Sequence, residues 1–168
     1  AGGEYIVVPS MRRIETRDGL ATYCRYFNEV GARCKAAGIK FGYHNHSREF
    51  EKVEDRVMLD YMLENTDPDK VFFQMDVYWT VMGQASPVDY FTKYPGRFRL
   101  LHIKDRREVG QSGMVGYDAI FRNAATAGVE NIIVEIEGSS YNEIVRSVRE
   151  CADYLVEAPF VTSFFRDK

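Results

Sequence analysis

The sequence has few cysteines, and their pattern excludes the small folds that disulfides or zinc hold together. There are three in 168 residues, Cys24, Cys34 and Cys151, and no two are closely spaced. Disulfide-rich secreted domains and zinc modules need an even, closely spaced set. We therefore interpret all three as buried thiols.

The sequence also lacks a strong excess of charge of one sign, and it lacks long apolar runs. The 22 basic and 25 acidic residues are spread along the chain and give a net charge of −3, which argues against a nucleic-acid or membrane partner. No apolar run approaches the roughly 18 residues of a membrane span, and the first residues have no signal-peptide pattern. We expect a soluble protein, cytoplasmic or periplasmic, with a small polar ligand.

A glycine-rich phosphate turn is missing after the first predicted strand. Residues 9–13 read Pro-Ser-Met-Arg-Arg, whereas a mononucleotide-binding sheet carries glycines there. The later Gly110, Gly113 and Gly116 do not directly follow a strand, so they indicate a flexible loop and not a dinucleotide site.

What the chain does contain is a regular alternation of strand and helix patterns. The predicted strands are 5–9, 39–43, 71–75, 98–103 and 131–136, and the predicted helices are 20–38, 57–64, 86–93, 118–127 and 140–156. Ser86-Pro87 is a typical helix start, and Ser140 with Glu143 predicts a capping box for the last helix. Five strand–helix units predict one α/β domain over residues 1–168.

Four side chains that commonly bind metals follow four successive strands. They are His44, Asp76, His102 and Glu135, separated by 32, 26 and 33 residues. Each separation is about one strand–helix–strand unit, and the carboxyl ends of parallel strands meet at one mouth. The spacing therefore predicts a metal site built from distant residues.

Two folds accommodate five such units, an open doubly wound sheet and part of a (β/α)8 barrel. A complete barrel takes about 250 residues, more than the 168 present. The missing phosphate turn and the ligands on four successive strands still favour the barrel, because an open sheet binds where its strand order reverses. We expect the C-terminal part of a TIM barrel.

Several short motifs in order carry a family resemblance. They are His44-Asn45-His46 with Glu49-Phe50, Asp76-Val77-Tyr78-Trp79, Tyr94-Pro95-Gly96-Arg97, His102-Ile103-Lys104-Asp105 and Val134-Glu135. Together they resemble the sugar phosphate isomerase/epimerase superfamily of xylose isomerase-like barrels, which includes inosose dehydratase and tagatose epimerase relatives. The resemblance implies that the five units are strands four to eight.

The resemblance also implies a divalent metal at His44, Asp76, His102 and Glu135. Manganese is the first expectation, with zinc, cobalt, magnesium or iron as alternatives, since mixed carboxylate and imidazole ligands suit such ions. A base then moves a proton between adjacent sugar carbons. Glu135 and His46 are the candidate bases, which predicts a metal-dependent sugar isomerase or epimerase.

Two departures from the family pattern shift weight toward another reaction. Epimerase relatives carry glutamate at the position of His44, where it acts as a second base, and Trp79 stands where tagatose-type relatives carry a substrate-binding histidine. An indole there would stack on a sugar ring. A lyase or hydratase of keto sugars, 3-keto-glycosides or inosose needs only one base, so it is the alternative.

The remaining candidates have weaker signals. We predict substrate contacts for Lys104, Glu49, Glu137 and Arg107, and Glu137 is the second choice for the last metal ligand. The competing interpretation is that the lysine and the arginines, including Arg12, Arg13 and Arg106, are solvated surface. His44 and His46 are likewise often structural when taken alone.

Two rivals come from other functional classes. One is a non-catalytic carbohydrate-binding or assembly module. The other is an endonuclease IV-like DNA repair enzyme, which the acidic balance and the three histidines argue against.

Exposed parallel strand edges invite pairing, so we also expect a homodimer or a swapped oligomer.

Overall fold

The computed structural model describes residues 2–166 and alternates strands with helices. The strands are β1 (Tyr5–Val8), β2 (Lys40–His44), β3 (Lys52–Val53), β4 (Arg56–Val57), β5 (Val71–Asp76), β6 (Leu100–Ile103) and β7 (Asn131–Val134). The helices are α1 (Arg17–Ala36), α2 (Met58–Asn65), α3 (Val77–Met82), α4 (Pro87–Lys93), α5 (Tyr117–Arg122), α6 (Ala124–Ala127), α7 (Ile144–Glu157) and α8 (Pro159–Arg166). A 3-10 turn, Ser47–Phe50, follows β2.

The main sheet is entirely parallel and keeps the order of the chain. Its strands run β1-β2-β5-β6-β7, while β3 and β4 form a separate antiparallel hairpin. Because each strand lies beside the next one along the sequence, the carboxyl ends of all five meet at one edge. The prediction of five parallel strand–helix units is confirmed.

The central strand of the sheet is covered on both faces. All six residues of β5 are buried, as expected for a continuous apolar strand in a parallel sheet. Phe72 points to one face and lies over Gly42 of β2, where an added Cβ would come within 2.6 Å of the Phe72 ring. Phe73 points to the other face and packs against Tyr43 and Phe98.

Side-chain caps fix the starts of two helices, and the one at Ser86-Pro87 confirms the prediction. Thr16 precedes α1, and its hydroxyl accepts a 3.2 Å hydrogen bond from the amide of Gly19. Ser86 does the same for Asp89 at the start of α4, with Pro87 in the first helical position. Along α1 the buried residues are Leu20, Cys24, Phe27 and Gly31, spaced three or four positions apart as on one face of a helix.

The capping-box prediction for the last long helix is wrong. Helix α7 begins at Ile144 after Glu143, and no side chain caps it. Ser140 instead donates both its amide and its hydroxyl to the carboxylate of Glu108. Ser140 therefore binds Glu108, which is distant in sequence, and does not cap the helix as the local pattern predicts.

Other boundaries also differ from expectation. The predicted helix 118–127 is divided at Asn123, β7 ends at Val134, and α3 and α8 form where no helix was predicted. Cys24 and Cys151 are buried as predicted, but Cys34 is only half-buried.

A polar network joins the first strand to the segment that enters the last. The hydroxyl of Tyr5 and the ammonium of Lys40 each donate a 2.5 Å hydrogen bond to Glu130 Oε2, and Asn131 Nδ2 lies 3.2 Å from the Tyr5 hydroxyl. Since β1 and β7 are the two outer strands, these contacts show that the sheet curls toward closure. No helix within residues 2–166 has the length and apolarity to cross a bilayer.

Candidate metal centre

Three of the four predicted metal ligands lie together at the carboxyl edge of the sheet. His44 ends β2, Asp76 ends β5, and His102 is the third residue of β6. Their ligand atoms all lie within 4.8 Å of one another, in part because Asp76 and His102 are register partners. The predicted convergence of these strand ends is confirmed.

Asp76 is fully buried and uses its two carboxylate oxygens differently. Oδ1 accepts a 2.7 Å hydrogen bond from the amide of Trp79 and caps α3. Oδ2 lies 3.0 Å from Nδ1 of His102. Asp76 therefore caps a helix, and the cap leaves its second oxygen facing the histidines.

His44 is held in one orientation by Gln74. Its Nδ1 lies 3.2 Å from the Gln74 side-chain oxygen and its Nε2 lies 3.9 Å from Asp76 Oδ2. Because the amide oxygen only accepts hydrogen bonds, Nδ1 carries the proton and Nε2 keeps its lone pair. Burial, reinforced by His102 and His46 and opposed by Asp76, lowers the pKa of His44 to about 4. The imidazole is therefore neutral near pH 7.

His46 lies beside this cluster. Its ring is 4.8 Å from that of His44 and 5.9 Å from that of Trp79, measured between centroids. Glu49 is fully buried and accepts hydrogen bonds from the His46 amide, at 2.7 Å, and from the Tyr43 hydroxyl, at 2.8 Å. Glu49 thus fixes the turn that carries His46, and its predicted contact with substrate stays a prediction.

Lys104 holds Glu135 and Glu137 at the rim. Its ammonium lies 3.0 Å from Glu135 Oε2, 2.7 Å from Glu137 Oε2 and 6.0 Å from the centroid of the Trp79 ring. The Lys104 side chain is only 2% exposed, which contradicts the interpretation of a solvated surface lysine. The register that pairs Ile103 with Val134 brings Lys104 beside Glu135.

Glu135 is not part of the three-residue cluster, and its role as a fourth ligand stays a prediction. Partial burial raises the pKa of Glu135, but the hydrogen bond and charge of Lys104, with the charges of His102 and His44, outweigh that effect. The pKa of Glu135 is thus lowered and the group is a carboxylate at neutral pH.

The arginines named from the sequence are all exposed. Arg12, Arg13, Arg106 and Arg107 are exposed, so a substrate contact by Arg107 remains untested. The loop after β6 does contain positive φ angles at Gly110 and Gly113. Its Asp105 carboxylate accepts the amides of Arg106 and Gly110, at 2.7 and 3.1 Å.

Sequence reasoning missed two supporting side chains, Gln74 and Asn45. Gln74 orients His44. The side-chain oxygen of Asn45 accepts a 3.2 Å hydrogen bond from the amide of Asp76, and its nitrogen lies 3.3 Å from Thr80 Oγ1. A polar residue two positions before Asp76 on an apolar strand must share its face. That alternation would have identified Gln74.

The donor set fits a divalent cation. Two imidazoles and one carboxylate, all poorly exposed, supply three ligands from rigid strand ends, and one imidazole has its tautomer set by a neighbour. Mixed nitrogen and oxygen ligands of this kind suit manganese, iron, cobalt or zinc.

Comparisons with known proteins agree with this geometry. A family model described as the xylose isomerase-like TIM barrel matches residues 1–158. A sugar phosphate isomerase/epimerase from Parabacteroides distasonis superposes with a TM-score of 0.88 at 44% identity, over 94% of this chain and 60% of that one. The IOLI protein with a binding zinc atom gives a TM-score of 0.73 at 15% identity, over 96% of this chain and 64% of that one.

An inosose dehydratase from Lacticaseibacillus casei is 30% identical over 79 residues. That match spans 47% of this chain and 26% of the dehydratase. The chain therefore spans about three-fifths of the Parabacteroides structure and aligns with about a quarter of the curated relative. The predicted fold, part of a xylose isomerase-like barrel, is confirmed.

Proposed function

Since the chain belongs to the xylose isomerase-like TIM barrel family, we propose that it forms the metal-binding part of an enzyme acting on a small carbohydrate. The reaction is proton transfer next to a carbonyl or hydroxyl carbon, as in a sugar isomerase or epimerase. The observation that carries the proposal is the convergence of His44, Asp76 and His102 within 4.8 Å.

These three residues would hold the metal, with Glu135 as the candidate fourth ligand. The IOLI protein, which has this fold and a binding zinc atom, supports a divalent ion here, and manganese is the ion we propose. When bound, such a cation polarises a carbonyl oxygen and offsets the negative charge that develops on it.

Two side chains are our candidates for moving the proton. Glu135 is a carboxylate at neutral pH and so can accept a proton from the carbon next to the carbonyl. His46 lies between the His44 ring and the indole of Trp79, where it can return a proton to the neighbouring position. Such a transfer rearranges hydrogen without changing the mass of the sugar.

Trp79 and Lys104 would position the substrate. The indole offers a flat apolar face to a sugar ring, and the Lys104 ammonium lies 6.0 Å from that ring system. Lys104 also partly neutralises Glu135 and Glu137, so a polyol approaches a site with less negative charge.

The second candidate is a lyase or hydratase of keto sugars, 3-keto-glycosides or inosose. The 30% identity to inosose dehydratase favours it. In elimination one base removes the proton from carbon and then delivers it to the hydroxyl of the neighbouring carbon, which leaves as water as the C–O bond breaks. His44 stands in place of a second glutamate, which suits a reaction that needs one base.

Mass analysis of products in deuterated water tests both reactions. The chain with manganese is incubated with ketoses and with inosose, and an isomerase yields products of unchanged carbon skeleton that carry one solvent deuterium. A dehydratase yields products lighter by one water. The E135Q variant should lose about 100-fold or more in rate, the usual contribution of a general base, whereas E137Q should lose less than about tenfold. Equal losses in the two variants would contradict the base role of Glu135.

A further inference from the structure

Lys104 has one positive charge and two negative partners. Its ammonium lies 2.7 Å from Glu137 Oε2 and 3.0 Å from Glu135 Oε2, and its side chain is only 2% exposed. A buried ammonium needs a carboxylate beside it, because an unpaired buried charge is costly. One carboxylate meets that need, so the second is available to another cation.

The two glutamates differ in what else lies near them. The register between β6 and β7 brings Glu135 beside Lys104, on the side of the sheet that carries His102, since side chains alternate along a strand. Lys104 is two residues beyond His102, a step of about 6.6 Å. Glu137 follows two residues later, and its side chain is 60% exposed. Of the two carboxylates, Glu135 is therefore the one that borders the metal cluster.

We propose that Lys104 and Glu137 are positioning residues that set the affinity of the metal centre through Glu135. The inference rests on the proposed function, in which Glu135 is the fourth ligand. Glu135 pairs either with the Lys104 ammonium or with a divalent cation at the three-residue cluster. When it binds the cation, Glu137 keeps the ammonium paired. Lys104 thus competes with the metal for Glu135, and Glu137 favours metal binding without being a ligand.

The arrangement predicts opposite effects for two residues that bind no metal. Without the Lys104 ammonium, Glu135 has no competing partner and the metal is bound more tightly. Without Glu137, release of Glu135 leaves the ammonium buried and unpaired, so the metal is bound more weakly. Charge acting at a distance gives the same two signs. The two causes are separated by asking whether each effect needs Glu135.

Double-mutant cycles on manganese affinity test the proposal. The chelator-treated chain is titrated with Mn²⁺, and the free ion is measured by its electron paramagnetic resonance signal. We expect K104M to tighten binding by at least about threefold and E137Q to weaken it by at least about threefold, as for residues in direct contact. In the E135Q background each substitution should change the affinity by less than about 1.5-fold.

The matched control is E157Q, which removes an exposed carboxylate from the last residue of α7. It should leave the affinity for manganese within about 1.5-fold of the parent value. Far-UV circular dichroism checks that each variant is folded. The cycle between E137Q and E135Q decides the matter even if K104M does not fold, because the side chains of Glu135 and Glu137 are 39% and 60% exposed.

Two results would overturn the inference and leave the proposed metal centre intact. One is an effect of K104M or E137Q that persists at full size in E135Q, since it would come from charge at a distance. The other is an unchanged affinity in E137Q. A parent chain that binds no manganese would instead overturn the proposed metal centre, and this inference with it.

Discussion

Gly42 shows how one missing side chain shapes the interior of the sheet. An added Cβ would come within 2.6 Å of the Phe72 ring, which lies on the neighbouring strand. Phe72 is 3% exposed and sits in a fully buried strand, so the ring has little room to move. A glycine is therefore needed at this position for packing.

We predict that G42A lowers the free energy of unfolding by about 1–3 kcal/mol, the usual cost of overpacking a core. Urea denaturation monitored by circular dichroism measures it. The control is G116A, because a Cβ at Gly116 meets no atom within 4 Å. An equal change in both variants would show that backbone freedom, not the Phe72 contact, sets the cost.

Lys104 is the residue that most affects the charge of the rim. Replacing it with methionine removes the hydrogen bond and the positive charge that lower the pKa of Glu135. We predict that the Glu135 carboxyl titrates at higher pH in K104M than in the parent chain, measured by carbon NMR of the side-chain carboxyl.

The stability effect of K104M has a defined sign. A carboxyl whose folded-state pKa is lowered stabilises the protein above its unfolded pKa, about 4.3 for glutamate, and loses that contribution as the pH falls. The parent chain should thus exceed K104M in stability at pH 7 and lose this advantage under acid. The control is K93M, which removes the ion pair with Asp60 and should leave the titration of Glu135 unchanged. If K93M shifted it as much as K104M does, the shift would not come from the contact with Lys104.

At the scale of single residues, the sequence predicted which residues form the candidate site better than it predicted which side chains they contact. Strand-end position was enough to single out His44, Asp76 and His102, because their alternation and spacing depend only on the chain. The bond from Lys104 to Glu135 depends on the register between β6 and β7, which local patterns do not contain. For the same reason a lysine near a rim could not be recognised as buried.

Among the elements, α7 and the segment before it are attached to the loop after β6 in part through the Glu108 carboxylate. Glu108 is 1% exposed and accepts the Ser140 amide at 2.8 Å, the Ser140 hydroxyl at 2.5 Å and the Ser147 hydroxyl at 2.6 Å. The Ser140 hydroxyl, the Ser147 hydroxyl and the Ser140 amide, in that order, lower the pKa of Glu108 to about 2. The carboxylate form is therefore strongly favoured in the folded protein.

We predict that E108Q lowers the melting temperature at pH 7, and that the difference from the parent chain shrinks as the pH falls. The parent contribution is complete above the ordinary glutamate pKa, about 4.3, and disappears toward the folded-state value of about 2. Calorimetric scans between pH 7 and pH 2 measure the trend. A difference that stays constant across this range would contradict the assignment.

Long elements with a repeated signal were predicted well, and short ones were not. The buried stripe of α1 and the apolar run of β5 each involve many residues. By contrast, α3 has six residues and begins with β-branched and aromatic residues, and it is helical because Asp76 caps it and Val77 and Thr80 are buried. Tertiary packing decides such short segments, so local propensity fails there.

For the whole molecule, the candidate metal centre joins three strands that the chain separates by 32 and 26 residues. The three ligands come together only when the sheet is formed, so an ion that binds them stabilises the folded state over the unfolded chain. The barrel family and the convergence of strands were readable from the motifs. The position of Glu135 beside Lys104 required the structure.

Calorimetric titration of the chelator-treated chain with manganese and with zinc tests the central claim most directly. We predict one ion per chain, with affinity lost by at least tenfold in H44N and retained within about threefold in H46N, the adjacent histidine outside the cluster. The loss for H44N follows from removing one of three ligands. Absence of binding by the parent chain, or equal affinities for H44N and H46N, would contradict a metal centre at His44, Asp76 and His102.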